Sequence, residues 1–342
     1  MICARRVFRC FRSLERFADR ITGAAGPWFV GLALILMSMG TLSFFTIVQP
    51  TLPCPWLTTP PCIWIALNMF MHYYYVCTIP PGFVGDPFPL PGSGLLWASP
   101  SPSQLSSSSV EIIKARMSRC KKCGEMRPER AHHCRVCNKC VLKFDHHCPV
   151  RINQCVGIHN ERHFVLFMAY LVLSTLILNV FGFHRALDAL GVTLVPWMHA
   201  MPAFGFLMSY MLSIVLCLAV FIMLVWHIWG IAKGETSVEA QDHEIYRKVA
   251  KERGEASPST FQCQEPLLSN LFRLFKRTNL ILFFNIGLNG YPLYTLLIPL
   301  RVMPYTDGSS WARRDGLQRH RGVREGEELT DEEEDEDGEE IQ

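Results

Sequence analysis

Two long stretches of the chain, residues 21–85 and 189–232, contain no Asp, Glu, Lys or Arg. An apolar helix needs about 20 residues to cross the hydrocarbon of a bilayer. Four uncharged windows of that order stand out, at roughly 28–48, 63–79, 164–183 and 204–231. Pro50, Pro53 and Pro55 close the first, and Pro80-Pro81-Gly82 closes the second. Stretches so apolar and so long do not suit the loops or core helices of a soluble domain, so a purely soluble protein is excluded. The pattern predicts an α-helical integral membrane protein with four transmembrane helices. His72 and His227 fall inside these windows, and each is expected to cap a helix end or bond to a neighbouring helix rather than line a path.

A further apolar run, 280–300, is interrupted by Asn285, Gly287, Asn289, Gly290 and Pro292. These weaken a continuous helix in lipid, so an interfacial segment is expected there rather than a fifth span. Residues 86–109 are rich in Pro, Gly and Ser and read as a linker. Thr236 and Glu239 have capping-box spacing at the start of a segment of helical composition, 237–253.

Charge adds orientation. The net charge of +3 hides an acidic end: 12 of the 30 acids lie at 325–340, leaving 33 bases against 18 acids in residues 1–324. Six arginines, Arg5, Arg6, Arg9, Arg12, Arg16 and Arg20, precede the first window, and residues 80–163 hold twelve Lys and Arg, whereas the two opposite loops hold only Arg185. Positive loops stay on the cytoplasmic side, so both termini and the long central loop are expected there. The first segment lacks a signal-peptide cleavage pattern and reads either as a retained basic helix on anionic lipid or as charge flanking an anchor. The expected organisation is a basic N-terminus (1–27), two spans with a short luminal loop (28–79), a cytoplasmic linker (80–116), a cysteine-rich zinc domain (117–163), two more spans with a luminal loop (164–231), a cytoplasmic C-terminal region with the interfacial segment (232–320) and a disordered acidic tail (321–342). Cys3, Cys10 and Cys263 read as ordinary free thiols beside the bilayer.

Seven of the 14 cysteines lie from Cys120 to Cys155, and six of the 12 histidines from His132 to His163. This mixture suits metal in a reducing compartment better than a disulfide framework. The spacing is Cys120-x2-Cys123-x9-His133-Cys134-x2-Cys137-x2-Cys140-x6-His147-Cys148-x6-Cys155. Two-residue gaps let paired thiolates turn around one tetrahedral zinc, and a small, loop-rich segment of low apolar content needs metal to fold. Two zinc ions take eight ligands, and this segment offers more, so at least one group is left over. Cys148 is the candidate surplus. In Asp145-His146-His147-Cys148 one imidazole can take the thiol proton and Asp145 can orient that imidazole, while the other histidine serves as a ligand. Spacing alone leaves two readings open: a nucleophile, or a purely structural zinc module that docks a partner.

The run Cys120-Lys121-Lys122-Cys123, the segment Arg127-Pro128-Glu129-Arg130-Ala131-His132-His133-Cys134, the pair Cys137 and Cys140, and Asp145-His146-His147-Cys148-Pro149 resemble the cysteine-rich domain of the DHHC-type palmitoyltransferases, the protein S-acyltransferases. Asn153, Cys155, Val156, Gly157 and Asn160 extend the resemblance, and Thr236-Ser237-Val238-Glu239 is similar to the family's short motif after its last span. The resemblance implies a domain placed between the second and third of four spans. It also implies an enzyme whose Cys148 takes a palmitoyl chain from palmitoyl-CoA as a thioester and passes it to cytoplasmic cysteines of membrane-associated proteins. Carried over by position, Cys148 is the acylated nucleophile, His146 the general base and Asp145 its orienter. One structural zinc takes Cys120, Cys123, His133 and Cys140, and the other takes Cys134, Cys137, His147 and Cys155. An endomembrane setting, endoplasmic reticulum or Golgi, follows from the same resemblance, and the expected partners are acyl-CoA, protein substrates and the lipid bilayer, with no nucleic acid.

Acyl-CoA joins a chain that favours hydrocarbon by about 0.8 kcal/mol per methylene to phosphates that need water and positive charge. Arg119, Lys121, Lys122, Lys143 and Arg162 are therefore candidate phosphate contacts. The chain departs from the family pattern in two places. After Pro149 it reads Val150-Arg151-Ile152, without the usual tryptophan and with one residue more before Cys155, and Asn279 with Phe283 lacks the glycine that precedes the family's C-terminal asparagine motif. A catalytically silent zinc scaffold is the competing function. A transporter or channel has little support, because the spans hold almost no ionisable residues.

Overall fold

The computed structural model describes residues 25–87, 96–98, 112–149, 152–193, 195–241, 244, 277–287 and 290–312. The basic N-terminal stretch, most of the linker, most of 237–253 and the acidic tail lie outside the described residues, as do Cys3, Cys10, Val150, Arg151 and Cys263.

Four long helices form the body: α1 (Ala25–Thr51), α2 (Pro55–Thr78), α3 (Glu161–Ala189) and α4 (Ala203–Lys233). Helix α1 widens into a π turn at Phe44–Val48 and then tightens into a 3-10 turn at Gln49–Thr51, where Pro50 has no N–H to continue the ladder. Proline at the first position of α2 is tolerated because that N–H has no helical partner in any case. Three of the four, α1, α3 and α4, are long and apolar enough to cross a membrane. Thr58, Thr59, Asn68, His72 and three consecutive tyrosines dilute α2, which is not among them.

Helix α3 lies between α2 and α4. Its first half packs Phe164, Phe167 and Met168 against Met69, Tyr73 and Val76 of α2 and Val220 and Leu224 of α4, and Ile152 and Val156 of the adjoining domain join this cluster. At the other end Phe44, Ile47 and Val48 of α1 meet Leu178, Phe206 and Tyr210. The outward faces stay apolar and exposed at Trp28, Ile35, Leu218 and Ile222, as a lipid-facing surface requires. His72 makes the interhelical bond expected of it, with Nδ1 3.1 Å from Nδ1 of His163 on α3.

Between α2 and α3 the chain forms short antiparallel pairs: β2 (Met117–Arg119) with β3 (Met126–Pro128), β4 (His132–Cys134) with β5 (Lys139–Val141), and β6 (His146–Cys148) with β7 (Gln154–Val156). The domain is fastened to the helices through backbone. Leu142 N–H donates to Gly82 O at 2.8 Å, and the side chain of Asn160 donates to Cys155 O at 3.0 Å. Gly157 lies against Pro81, where a Cβ would meet the carbonyl oxygen at 2.7 Å.

The apolar run 280–300 forms no continuous helix. Helix α5 (Arg277–Phe284) ends before Asn285, and a single 3-10 turn follows at Leu293–Leu296. Around that turn Leu293, Tyr294, Leu297 and Ile298 are exposed, while Thr295 is buried and accepts from Arg162. Tyr75 and Tyr170 donate to Pro299 O and Leu296 O, which holds this segment against α2 and α3. The chain then returns as β8 (Ser310–Ala312), paired with β1 (Ile112–Lys114) at the entrance to the cysteine-rich domain.

Candidate active site and metal centres

Six of the seven clustered cysteines converge with two histidines into two four-donor groups: Cys120, Cys123, His133 and Cys140, and Cys134, Cys137, His147 and Cys155. Cross-strand register does this, because His133 opposes Cys140 and His147 opposes Cys155. Tetrahedral zinc, with Zn–S of about 2.3 Å and Zn–N of about 2.0–2.1 Å, separates its donors by roughly 3.3–3.8 Å. The donors here lie 3.5 Å (Cys123 to Cys140), 3.8 Å (Cys120 to His133), 3.4 Å (Cys137 to Cys155) and 3.3 Å (His147 to Cys155) apart. No disulfide links them. Both groups fit a metal ion, and their composition is that of a structural zinc site.

Cys148 belongs to neither group. Side chains alternate across a strand, so His146 and Cys148 share one face of β6 while His147 faces Cys155 and the second metal group. Two adjacent histidines thus point in opposite directions by the pleat alone. The imidazole of His146 hydrogen-bonds both the Cys148 thiol and Asp145, with Nδ1 2.8 Å from Oδ2 of the carboxylate. Burial disfavours ionised Asp145, but the hydrogen bond and charge of His146, the charge of His227 and the backbone N–H of Ser237 outweigh it and hold the carboxyl at about 2. Burial likewise disfavours the His146 cation, yet its bonds to Asp145 and Cys148 raise it to about 9. The arrangement can therefore hold a proton on the imidazole beside the sulfur, with a fixed carboxylate behind it.

The end of α4 completes this assembly. Gly234, at φ +80, ends the helix where a Cβ would press on Asn279 of α5, whose side chain donates to Ala232 O at 2.9 Å. The capping box expected from the sequence forms, with Thr236 N–H donating to Glu239 Oε2 at 2.9 Å and Glu239 N–H to Thr236 Oγ1 at 3.3 Å. Two further contacts carry no local sequence signal. Ser237 N–H donates to Oδ1 of Asp145 at 2.7 Å, and Glu239 takes a bidentate pair of bonds from Arg130 at 2.7 and 2.8 Å. His227 is a third such case: it was expected to serve the helices, but its Nδ1 lies 3.6 Å from Oδ2 of Asp145.

Of the candidate phosphate contacts, two are committed elsewhere. Lys143 pairs with Glu161, and Arg162 is buried on Thr295. Cys148 itself lies against the cluster of Met69, Tyr73, Phe164 and Leu171. Met69 and Leu171 also line an apolar cleft among the four long helices, reaching Leu36, Gly40 and Phe44.

Residues 113–244 match the family model described as DHHC palmitoyltransferase. The chain is similar to palmitoyltransferase ZDHHC16A of Danio rerio, 26% identical over 292 residues that cover 72% of this chain and 66% of that protein. It is similar to probable protein S-acyltransferase 14 of Arabidopsis thaliana, 34% identical over 129 residues (38% of this chain, 41% of the relative), and to palmitoyltransferase ZDHHC3 of Homo sapiens, 51% identical over 67 residues (19% and 22%). The chain spans no more than 66% of the length of these relatives.

Proposed function

The chain carries a DHHC palmitoyltransferase domain at residues 113–244, and from that premise we propose that the protein is a membrane-bound protein S-palmitoyltransferase. The single observation that carries this reading is the position of Cys148, the one clustered cysteine outside both four-donor groups, bonded to an imidazole that a buried carboxylate orients. In the first step the Cys148 sulfur attacks the thioester carbonyl of palmitoyl-CoA, and a new acyl–sulfur bond forms. The carbonyl–sulfur bond to CoA breaks, and the CoA thiolate takes the proton held by His146. In the second step the thiol of a substrate protein gives its proton to His146 and its sulfur takes the acyl group, returning Cys148 to its starting state. Asp145 stabilises the His146 cation in both steps.

The acyl chain is received by the apolar cleft among the helices, next to the core that Cys148 borders. When bound, the two zinc ions cross-link the short strand pairs and neutralise the thiolates; they take no part in acyl transfer. With α2 as a fourth span both termini fall on one side, and the Lys and Arg bias of the sequence supports the cytoplasmic side of an endomembrane, endoplasmic reticulum or Golgi, for them and for the cysteine-rich domain. The substrates are cytoplasmic cysteines of membrane-associated proteins. Purified protein given labelled palmitoyl-CoA should form a hydroxylamine-sensitive adduct that is absent in Cys148→Ser, with zinc near two per chain in both. An adduct that survives the substitution would overturn the assignment of Cys148. No adduct on the wild-type chain, with both zinc ions bound, would leave a zinc scaffold.

A further inference from the structure

Outside the two structural groups, one more set of ligand-type atoms converges among the described residues. A carboxylate oxygen of Asp145 and ring nitrogens of His146 and His227 lie within 4.8 Å of one another. Both imidazoles present Nδ1 to the same oxygen, Oδ2 of Asp145, His146 at 2.8 Å and His227 at 3.6 Å. The proton relay proposed above needs one imidazole and one carboxylate, so His227 is surplus to it. We infer that Asp145, His146 and His227 form a third metal site, at which Zn²⁺ binds reversibly and inhibits acyl transfer.

Two imidazoles and a carboxylate are a donor set that zinc accepts at sites keeping a fourth position open to water, whereas Mg²⁺ and Ca²⁺ prefer oxygen alone. The two observed separations bracket the roughly 3.3 Å expected between donors of a tetrahedral zinc with bonds of about 2.0–2.1 Å. The ligands are also held in place. Asp145 keeps Oδ1 on the backbone of Ser237, and the His227 ring stands edge-on to Phe164 at 5.3 Å. There is a route in, because Asp145 and His227 line an open cavity between the end of α4, α5 and the cysteine-rich domain. Since His227 belongs to α4 and the other two ligands to the cysteine-rich domain, the ion would join the two bodies across the site.

The inhibitory effect follows from imidazole chemistry. With Nδ1 of His146 on the ion, the remaining ring proton sits on Nε2, and no lone pair is left to take the proton of a thiol. Ion binding stands without the acyl-transfer reading; inhibition rests on it.

The test uses the full-length protein holding its two structural ions, dialysed against micromolar Zn²⁺, with bound zinc counted and self-acylation followed separately. The wild-type chain should take up a third equivalent, and its acylation should fall by about tenfold or more. His227→Gln removes a direct ligand and should weaken the third site by at least the roughly 10–100-fold that loss of an outer-shell partner costs. Its two retained ions report that it has folded, and its acylation should no longer respond to added Zn²⁺. Cys148→Ser should keep the third ion. A wild-type chain that stops at two ions overturns the proposal, as does a third ion of unchanged affinity in His227→Gln or one lost in Cys148→Ser, which would put the metal on the nucleophile. A third ion that binds as described to a chain without any self-acylation would uphold the site and sink the acyl-transfer reading, and the inhibitory role with it.

Discussion

Asp145 accepts from two directions, the ring of His146 and the backbone of Ser237, and its Oδ2 lies 3.6 Å from Nδ1 of His227. An amide at this position cannot do the same, since half of its polar end donates and would face a donor. Asp145→Asn should therefore leave the zinc content at two per chain and lower the rate of self-acylation by about 10²–10⁴-fold, through a misoriented imidazole that has lost its counter-charge. A rate within twofold of wild type in a quench-flow or fixed-time acylation assay would show that Asp145 plays no part in orienting His146. Much of this site is legible in the chain itself. Spacing announces metal binding and a group left over, the neighbours of Cys148 make it the candidate surplus, the eight named donors follow from the family resemblance, and the opposite facing of His146 and His147 follows once the segment is a strand. His227 and Ser237 were not legible in this role, because they meet Asp145 from 82 and 92 residues away, and hydropathy places His227 only within an apolar helix.

At the level of elements, an ion pair braces the junction between the end of α4 and the cysteine-rich domain, beside the bond from Ser237 to Asp145. Arg130 and Glu239 are both largely buried, and the carboxylate also caps the helical turn at Thr236. Glu239→Ala removes a capping group and leaves the Arg130 guanidinium only Gly234 O and the face of Trp311, a change expected to cost about 1–3 kcal/mol. A clear drop in thermal unfolding temperature is expected, together with loss of acylation. Arg130→Lys should be only partly tolerated, because an ammonium cannot reproduce the two parallel bonds. If both variants unfold like the wild type, the pair contributes nothing to the junction. Helix positions were legible from the uncharged windows, but helix ends were not. Helix α3 begins at Glu161 and α4 runs to Lys233, since charged residues at helix ends sit comfortably outside hydrocarbon, and α2 begins at Pro55 because proline starts helices as readily as it stops them. The expected boundary at 116 falls between β1 and β2, because β1 pairs with β8 almost 200 residues downstream and nothing local in the sequence announces that pairing.

For the whole molecule the decisive asymmetry is between two bodies held together by different forces. The helices bury apolar clusters along their length and present apolar faces to lipid. The cysteine-rich domain has strands of three residues and a small cluster of its own around Cys134, Val141 and Cys155. Strand pairs that short are not stable alone, whereas structural zinc in comparable modules supplies on the order of 10–16 kcal/mol per ion. A strong chelator should therefore unfold one body and spare the other. The zinc equivalents should leave, the region from β1 to β7 should become open to protease, and fragments carrying α1–α2 and α3–α4 should remain with the membrane. Acylation should vanish in step with the metal, because Asp145 and Cys148 are positioned by β6, and β6 is held by a strand partner, Cys155, that is itself a ligand. Restoring Zn²⁺ to two equivalents should recover both protection and acylation, and excess beyond that should suppress acylation again if His227 completes a third site. A chain that keeps its protease resistance and its acylation after all zinc has gone would place the stability of the domain in its backbone contacts with α2 and α3, and the metals would then be accessory.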